Sequence, residues 1–180
     1  ENLTNEINIS KEIQKINHYE SFFAPIIHHC GVSLAKIPKS EKDKCEVFKN
    51  IDHQQDPNSA VTTDKKNIVS TKIRYVGDKN LEKYLRCLPR REDILVKKVY
   101  TTYYHLLQSL KKLLEHDIIH NDLKEGNTMY DESNHSPIII DYGISYHPSI
   151  AKPEDYDDIF YTKQYYPYWC FDIYLLSRIQ

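Results

Sequence analysis

The sequence predicts an α+β fold, because one long helical segment and several short strands occupy separate parts of the chain. Apolar residues recur at helical spacing over residues 92–117, which predicts a long amphipathic helix. Apolar stretches at 68–76 and 137–140 are bounded by turn residues and predict strands.

The composition is that of one globular unit and disfavours two classes of partner. The 180 residues are 40% hydrophobic and 28% charged, as in ordinary folded domains. A formal net charge of -2 offers no attraction for nucleic acid or a membrane surface, and we expect neither as partner. The four cysteines are scattered without a framework spacing, which predicts reduced thiols in a cytoplasmic setting.

The first part of the chain predicts a helix, a strand and a polar insertion. Residues 2–17 carry apolar side chains at helical spacing, among them Ile9, Ile13 and Ile16. Residues 22–27 are typical of a buried strand, and about 36–66 is polar enough for a long surface insertion.

The middle of the chain predicts a strand at 68–76, a short helix from residue 80 and the long helix at 92–117. One face of the long helix is apolar, and we assign that face to the core and give it no chemistry. Its residues are Leu95, Val99, Tyr103, Leu106, Leu110 and Leu113.

A polar loop follows the long helix and carries the chemistry of the chain. It places Asp122 and Asn127 five positions apart, and Asp141 ends the apolar strand that comes next. Phosphoryl transfer needs a carboxylate that accepts the substrate's proton and oxygen ligands that hold Mg²⁺. Asp122 suits the first task, Asn127 and Asp141 suit the second, and Lys124 is placed to contact the transferred phosphate. A hairpin of strands at 128–131 and 137–140 would hold Asn127 near Asp141.

These two motifs resemble the catalytic loop (His-Arg-Asp-Leu-Lys-x-x-Asn) and the metal motif (Asp-Phe-Gly) of eukaryotic-type Ser/Thr protein kinases. The resemblance implies a two-lobed fold that uses ATP and Mg²⁺ and acts on a protein substrate. Residues 1–77 would form a partial N-lobe of one helix and two strands, with the insertion at about 36–66. Residues 78–180 would form a helical C-lobe with the catalytic-loop hairpin. The oligomeric state is not predicted.

The resemblance also assigns residues outside the two motifs. Glu6 would be the regulatory-helix glutamate that orients a strand lysine, with Glu12 as the competing candidate. The backbone from Arg74 to Val76 would face the adenine of ATP. Asp172 would brace the catalytic loop, or would simply cap a helix.

The chain departs from the family pattern in three places. Asn121 replaces the arginine that normally binds a phosphorylated activation segment, so we do not expect regulation by that route. No Gly-x-Gly loop or strand lysine precedes Glu6, and the chain stops eight residues after Asp172. We therefore expect an internal portion of a kinase. The sequence is closest to the compact kinases of large nucleocytoplasmic DNA viruses, which implies a location in the host cytoplasm or the virion.

Three functions remain open from the sequence. The first is a Ser/Thr protein kinase that uses Asp122 as base. The second is an inactive pseudokinase or scaffold, favoured by the missing Gly-rich loop. The third is a small-molecule phosphotransferase of the choline or aminoglycoside kinase kind, which usually lacks a lysine at the position of Lys124 and a glycine at that of Gly143.

Overall fold

The computed structural model describes residues 2–33, 36–42 and 67–150. The predictions about Asp172 and about most of the insertion at 36–66 lie outside the described residues. The described residues fall into two compact units, one drawn from Glu1–Ile27 with Ile73–Gln180 and the other from His28–Lys72. The proposed boundary after residue 77 stays a prediction.

The first helix, α1, spans Asn2–Ile13 and buries one apolar face. Ile9 and Ile13 are fully buried, one turn apart, as their spacing predicts. Ser10 is buried beside them, and its hydroxyl accepts a hydrogen bond from the Ile26 N–H at 3.0 Å. The predicted continuation to residue 17 is wrong, because the backbone turns after Ile13, although Ile16 still joins the core.

The smaller unit contains a two-stranded sheet of β1 (Ile26–Ser33) and β2 (Asn67–Ile73), and a short helix, α2, spans Lys39–Lys42. The two predicted strands therefore exist, but the first begins at Ile26 rather than at residue 22. Phe23 packs in the core of the larger unit, where the Ala24 N–H donates to the Ile139 carbonyl at 3.0 Å.

Helix α3 (Leu81–Arg86) starts where the sequence predicts a short helix. The Asn80 side chain caps it by accepting a hydrogen bond from the Lys83 N–H at 2.9 Å. Tyr84 of α3 stacks on Tyr130, with ring centroids 3.4 Å apart. This stack fixes α3 against the strand that follows the catalytic loop.

Helix α4 spans Glu92–Leu114, and only its C-terminal part buries the predicted apolar face. Leu113 is buried, whereas Val99 and Tyr103 are exposed, so the assignment of the whole face to the core is wrong. The buried line of the helix instead passes through Thr102 and Ser109, small side chains that allow a close approach. Periodicity reveals that a helix has an apolar face, but not which part of it is covered.

The predicted hairpin is confirmed as β3 (Thr128–Asp131) paired antiparallel with β4 (Ser136–Ile139). The carboxylate of Asp131 closes the turn by accepting hydrogen bonds from the Ser133 and Asn134 N–H groups, at 2.9 and 3.2 Å. The main core of the larger unit surrounds the hairpin. It consists of Ile9, Ile13, Ile16, Phe23, Leu113, Ile118, Ile139 and Tyr142.

Gly77 joins β2 to α3 in a conformation that other residues rarely adopt. Its φ is +148°, and a Cβ added there would lie 3.3 Å from the Tyr130 carbonyl oxygen. Only glycine therefore fits this connection without strain.

Within the described residues, no helix combines the length and the apolar character that a membrane span requires. Cys30 and Cys87 are free cysteines and both are exposed. Cys45 and Cys170 lie outside the described part of the chain.

Candidate active site

The candidate catalytic loop, residues 118–127, is anchored by its first residues. Ile118 is buried in the core, and its N–H donates to the Leu113 carbonyl at 2.9 Å. The Ile119 and Tyr146 backbones exchange two hydrogen bonds, at 3.0 and 2.8 Å. The loop therefore leaves the end of α4 along a fixed path.

His120 is the buried pivot of the loop. Its Nε2 lies 3.0 Å from the Ile140 carbonyl, and its Nδ1 accepts a hydrogen bond from the Asp122 N–H at 3.2 Å. Nε2 must therefore carry the proton in this arrangement. Burial lowers the pKa of His120 below its usual 6.5, which favours the neutral ring. The side chain thus ties the predicted base to the strand that leads to Asp141.

Three of the predicted site residues meet at the Asp122 carboxylate. Lys124 Nζ lies 2.9 and 3.1 Å from its two oxygens, and Asn127 Nδ2 donates to Oδ2 at 2.8 Å. The side chains of Asp122 and Lys124 are 13% and 26% exposed, so the pair is sheltered but open to a substrate. Charge-assisted hydrogen bonds of this kind hold the carboxylate in one orientation.

Asn127 ends a 3-10 turn over Glu125–Asn127 and is itself buried. Its amide nitrogen donates both to the Asp122 carbonyl, at 3.0 Å, and to the Asp122 carboxylate. With both N–H groups so directed, the amide oxygen is the atom that remains for another ligand. The Asn127 carbonyl accepts from the Ile140 N–H at 3.0 Å, which places Asn127 beside the residue before Asp141.

Asp141 is exposed and has a left-handed backbone, with φ of +66°. Asn121, in the catalytic loop, has φ of +62°. Asp and Asn tolerate this conformation better than other non-glycine residues, but it still carries a cost. His18, Asp117 and His135 also have positive φ, so this conformation occurs in both motifs but does not single them out.

Glu6 projects from α1 toward Asp141. Burial raises the pKa of Glu6, the charge of Asp141 raises it further, and a hydrogen bond from the Tyr142 backbone opposes both effects. Glu12, the competing candidate, instead forms an exposed salt bridge with Lys15 within its own helix region. The structure therefore brings Glu6, and not Glu12, to the metal motif.

Arg74 and Val76 lie on the connection after β2. Arg74 Nη2 donates to the Glu20 carbonyl at 2.6 Å, and Nη1 lies 3.6 Å from Asp131 Oδ2. The Arg74 side chain lines a cleft of about 550 Å³ between the 19–21 turn, α4 and the hairpin turn. Among the described contacts, no hydrogen bond joins Arg74 or Val76 to Asp122, Asn127 or Asp141.

The donor set fits a magnesium ion. Asn127 and Asp141 offer an amide oxygen and a carboxylate, which are hard ligands of the type that Mg²⁺ prefers. The described residues hold no cluster of three or more His, Cys, Asp or Glu side chains arranged for a metal. Mg²⁺ usually takes one or two protein carboxylates and fills its other positions with water and phosphate oxygens. Two protein ligands, Asn127 and Asp141, are therefore compatible with Mg²⁺.

Sequence reasoning missed the roles of two residues at the site. His120 was recognised as part of the motif, but its link between Asp122 and Ile140 was not. Tyr142 is fully buried, donates its hydroxyl to the Ile139 carbonyl at 2.8 Å and meets the His120 ring edge-on at 5.2 Å. Tyr142 stands beside Asp141, where the family motif has an aromatic residue, and this position is the sequence signal that could have identified its role.

Comparison with known proteins identifies the family to which this arrangement of residues belongs. A family model described as the protein kinase domain matches residues 35–168, about three quarters of the chain. The match includes Asp122, Lys124, Asn127 and Asp141, whereas Glu6 lies before it. A search of the curated proteins found no match. Protein kinase domains in general use ATP and Mg²⁺ and transfer a phosphoryl group to protein, and the α+β structure agrees with their fold. This chain belongs to the protein kinase domain family.

Proposed function

We propose that this chain is the catalytic part of a Ser/Thr protein kinase, which transfers the γ-phosphoryl group of Mg-ATP to a protein hydroxyl. The observation that carries the proposal is the convergence of Lys124 and Asn127 on the Asp122 carboxylate. Packing alone does not demand three adjacent polar side chains in a sheltered loop. Phosphoryl transfer does require a base, a cation at the phosphate and a metal ligand close together.

Each of these residues has one task in the proposal. Asp122 accepts the proton of the substrate hydroxyl, for which the fixed orientation of its carboxylate is suited. Lys124 holds Asp122 in the free protein and contacts the transferred phosphoryl group in the complex. Its presence favours Ser/Thr over Tyr specificity, by resemblance to the family.

Asn127 and Asp141 would hold Mg²⁺ through their side-chain oxygens. The ion supplies positive charge that bridges the phosphates of ATP and offsets the charge that develops during transfer. Glu6 would orient the lysine that this family carries on an earlier strand. ATP would lie between two lobes, with the backbone from Arg74 to Val76 facing the adenine. The Arg74 side chain is held by Glu20 and Asp131, which leaves that backbone unobstructed by it.

The source and location of the protein belong to the same proposal. The likeness of residues 118–143 to the compact kinases of large DNA viruses supports a viral origin. Abundant Asn, Ile, Lys and Tyr, which are encoded by A/T-rich codons, agree with it. The host cytoplasm or the virion is the location that follows.

A scaffold without turnover is the second candidate function, and the environment of Glu6 favours it. Among the described residues, Glu6 is set beside Asp141 and the Tyr142 backbone. An active kinase pairs this glutamate with a lysine. The two candidates therefore differ in whether the complete protein brings a lysine to Glu6.

The deciding experiment measures Mg²⁺-dependent transfer of γ-phosphoryl from ATP to a casein-like protein, with the longest natural form. We expect Asp122→Asn to lower kcat by about 10²- to 10⁴-fold, the usual contribution of a general base, with nucleotide binding retained. Asp117→Asn is the matched control, because Asp117 is exposed and has a left-handed φ that Asn tolerates.

Three results would contradict the proposal. Equal activity of Asp122→Asn and the wild type would show that Asp122 is not the general base. An absence of nucleotide binding in all three proteins would favour the scaffold. Transfer to amino alcohols but not to protein would favour a small-molecule phosphotransferase.

A further inference from the structure

Asn5 connects α1 to the chain that follows the metal motif. Its side-chain nitrogen donates to the Gly143 carbonyl at 3.0 Å and to the Ser145 carbonyl at 2.8 Å. The two bonds use both N–H groups of the amide and reach 138 and 140 residues along the chain. Asn is a weaker helix former than Ala or Leu, so helix formation alone gives no reason for an Asn here.

The catalytic loop holds the same segment, residues 143–146, from the other side. Asn121 Nδ2 donates to the Ile144 carbonyl at 3.2 Å, and Ser145 Oγ donates to the His120 carbonyl at 3.1 Å. The backbones of Ile119 and Tyr146 pair as described above. Residues 143–146 are therefore clamped between α1 and the catalytic loop by neutral hydrogen bonds.

We propose that Asn5 is a positioning residue, which locks residues 143–146 to α1 and thereby fixes Asp141 relative to Glu6. Glu6 follows Asn5 directly in α1, and the Tyr142 backbone that bonds Glu6 directly precedes Gly143. Loss of the Asn5 amide leaves α1 and the metal motif joined by fewer contacts. The inference rests on the proposed kinase function, because only there does the placement of Asp141 affect a reaction.

The test compares Asn5→Leu with Asn8→Leu in the longest natural form of the protein. Leu matches Asn in shape, removes the donor and favours the helix. Asn8 lies on the same helix, and its side-chain oxygen accepts an exposed hydrogen bond from Lys11 Nζ at 3.3 Å. Asn5→Gln is the second variant, because it keeps an amide donor and remains available if Asn5→Leu does not fold.

The first readout is amide hydrogen exchange of the Ser145 and Tyr146 N–H groups, which are bonded at 3.1 and 2.8 Å. We expect Asn5→Leu to speed their exchange about tenfold, the effect of losing two net hydrogen bonds, and Asn8→Leu to leave it unchanged. The second readout is kinase activity against Mg²⁺ concentration. We expect Asn5→Leu to lower kcat about tenfold and to raise the half-saturating Mg²⁺ concentration. Partial unfolding would lower the apparent kcat but would not change the half-saturating Mg²⁺ concentration.

The outcomes separate this inference from the proposed function. If the wild type is active and Asn5→Leu matches it in exchange, kcat and Mg²⁺ dependence, the inference is overturned and the kinase function stands. A fall in kcat with unchanged half-saturating Mg²⁺ and unchanged exchange also overturns it. If the wild type transfers no phosphate, the kinase function fails and the positioning role of Asn5 in the reaction fails with it; hydrogen exchange then reports only on the clamp.

Discussion

Replacement of His120 by Phe tests the pivot of the catalytic loop. Phe keeps an aromatic ring in a position that is only 3% exposed, but it has no polar atoms. The hydrogen bonds that His120 forms with the Asp122 N–H and the Ile140 carbonyl would both be lost. A buried polar group left without a hydrogen bond costs about 1–3 kcal/mol. Because two hydrogen bonds are lost, we expect His120→Phe to lower the free energy of unfolding by about 2–6 kcal/mol at pH 7.5.

The gap in the free energy of unfolding between the wild type and His120→Phe should depend on pH, and its direction of change can be derived. Burial lowers the pKa of His120 in the folded protein, so the unfolded chain binds the proton first as the pH falls below about 6.5. The wild type then loses stability between pH 6.5 and the lowered folded pKa, by at most about 1.4 kcal/mol per pH unit. His120→Phe has no such proton to bind. The gap between the two proteins should therefore narrow as the pH falls.

Urea denaturation at pH 7.5, 6.5 and 5.5 measures this gap. The pKa of His105 is also lowered by burial, but His105 is present in both proteins and cancels from the difference. His116→Phe, at an exposed position, is the matched control and should behave as the wild type. A gap that stays constant or widens toward pH 5.5 would refute a neutral, hydrogen-bonded His120.

Three further substitutions follow from the packing. Gly77→Ala should destabilise the fold by about 1–3 kcal/mol, because φ is +148° and the new Cβ would lie 3.3 Å from a carbonyl oxygen. Its control is Gly31→Ala, which has open space around the new Cβ and should cost less than about 1 kcal/mol. Ile139→Ala should cost about 2–5 kcal/mol in a fully buried position, and Ile119→Ala, at a position 41% exposed, clearly less. Asp131→Ala should cost about 1–2 kcal/mol by opening the hairpin turn. Chemical denaturation measures all of these variants. Equal losses of stability in Gly77→Ala and Gly31→Ala, or in Ile139→Ala and Ile119→Ala, would contradict the packing, and an unchanged stability of Asp131→Ala would contradict the role of its carboxylate in the turn.

The sequence was sufficient to predict those parts of the structure that depend on contacts between nearby residues. The hairpin follows from two short apolar stretches around polar turn residues, and its bounds are nearly those predicted. The meeting of Asp122, Lys124 and Asn127 follows from spacing, because residues two and five positions apart in one tight loop cannot be far from each other.

What the sequence did not reveal depends on contacts between distant segments. The exposed part of α4 has the same apolar period as its buried part, so only the packed hairpin distinguishes Leu113 from Tyr103. The bonds of Asn5 link residues almost 140 positions apart, and no local pattern marks such a partner. The choice of Glu6 over Glu12 likewise needed the position of Asp141.

The long reach of α1 also bears on how the chain folds during synthesis. The apolar face of α1 is completed by Ile139 and Tyr142, which are translated about 130 residues later. At roughly 5–20 residues per second, the nascent helix waits on the order of ten seconds before its partners leave the ribosome. Contacts of such long sequence separation fold late, and through that interval the face formed by Ile9 and Ile13 is open to chaperones.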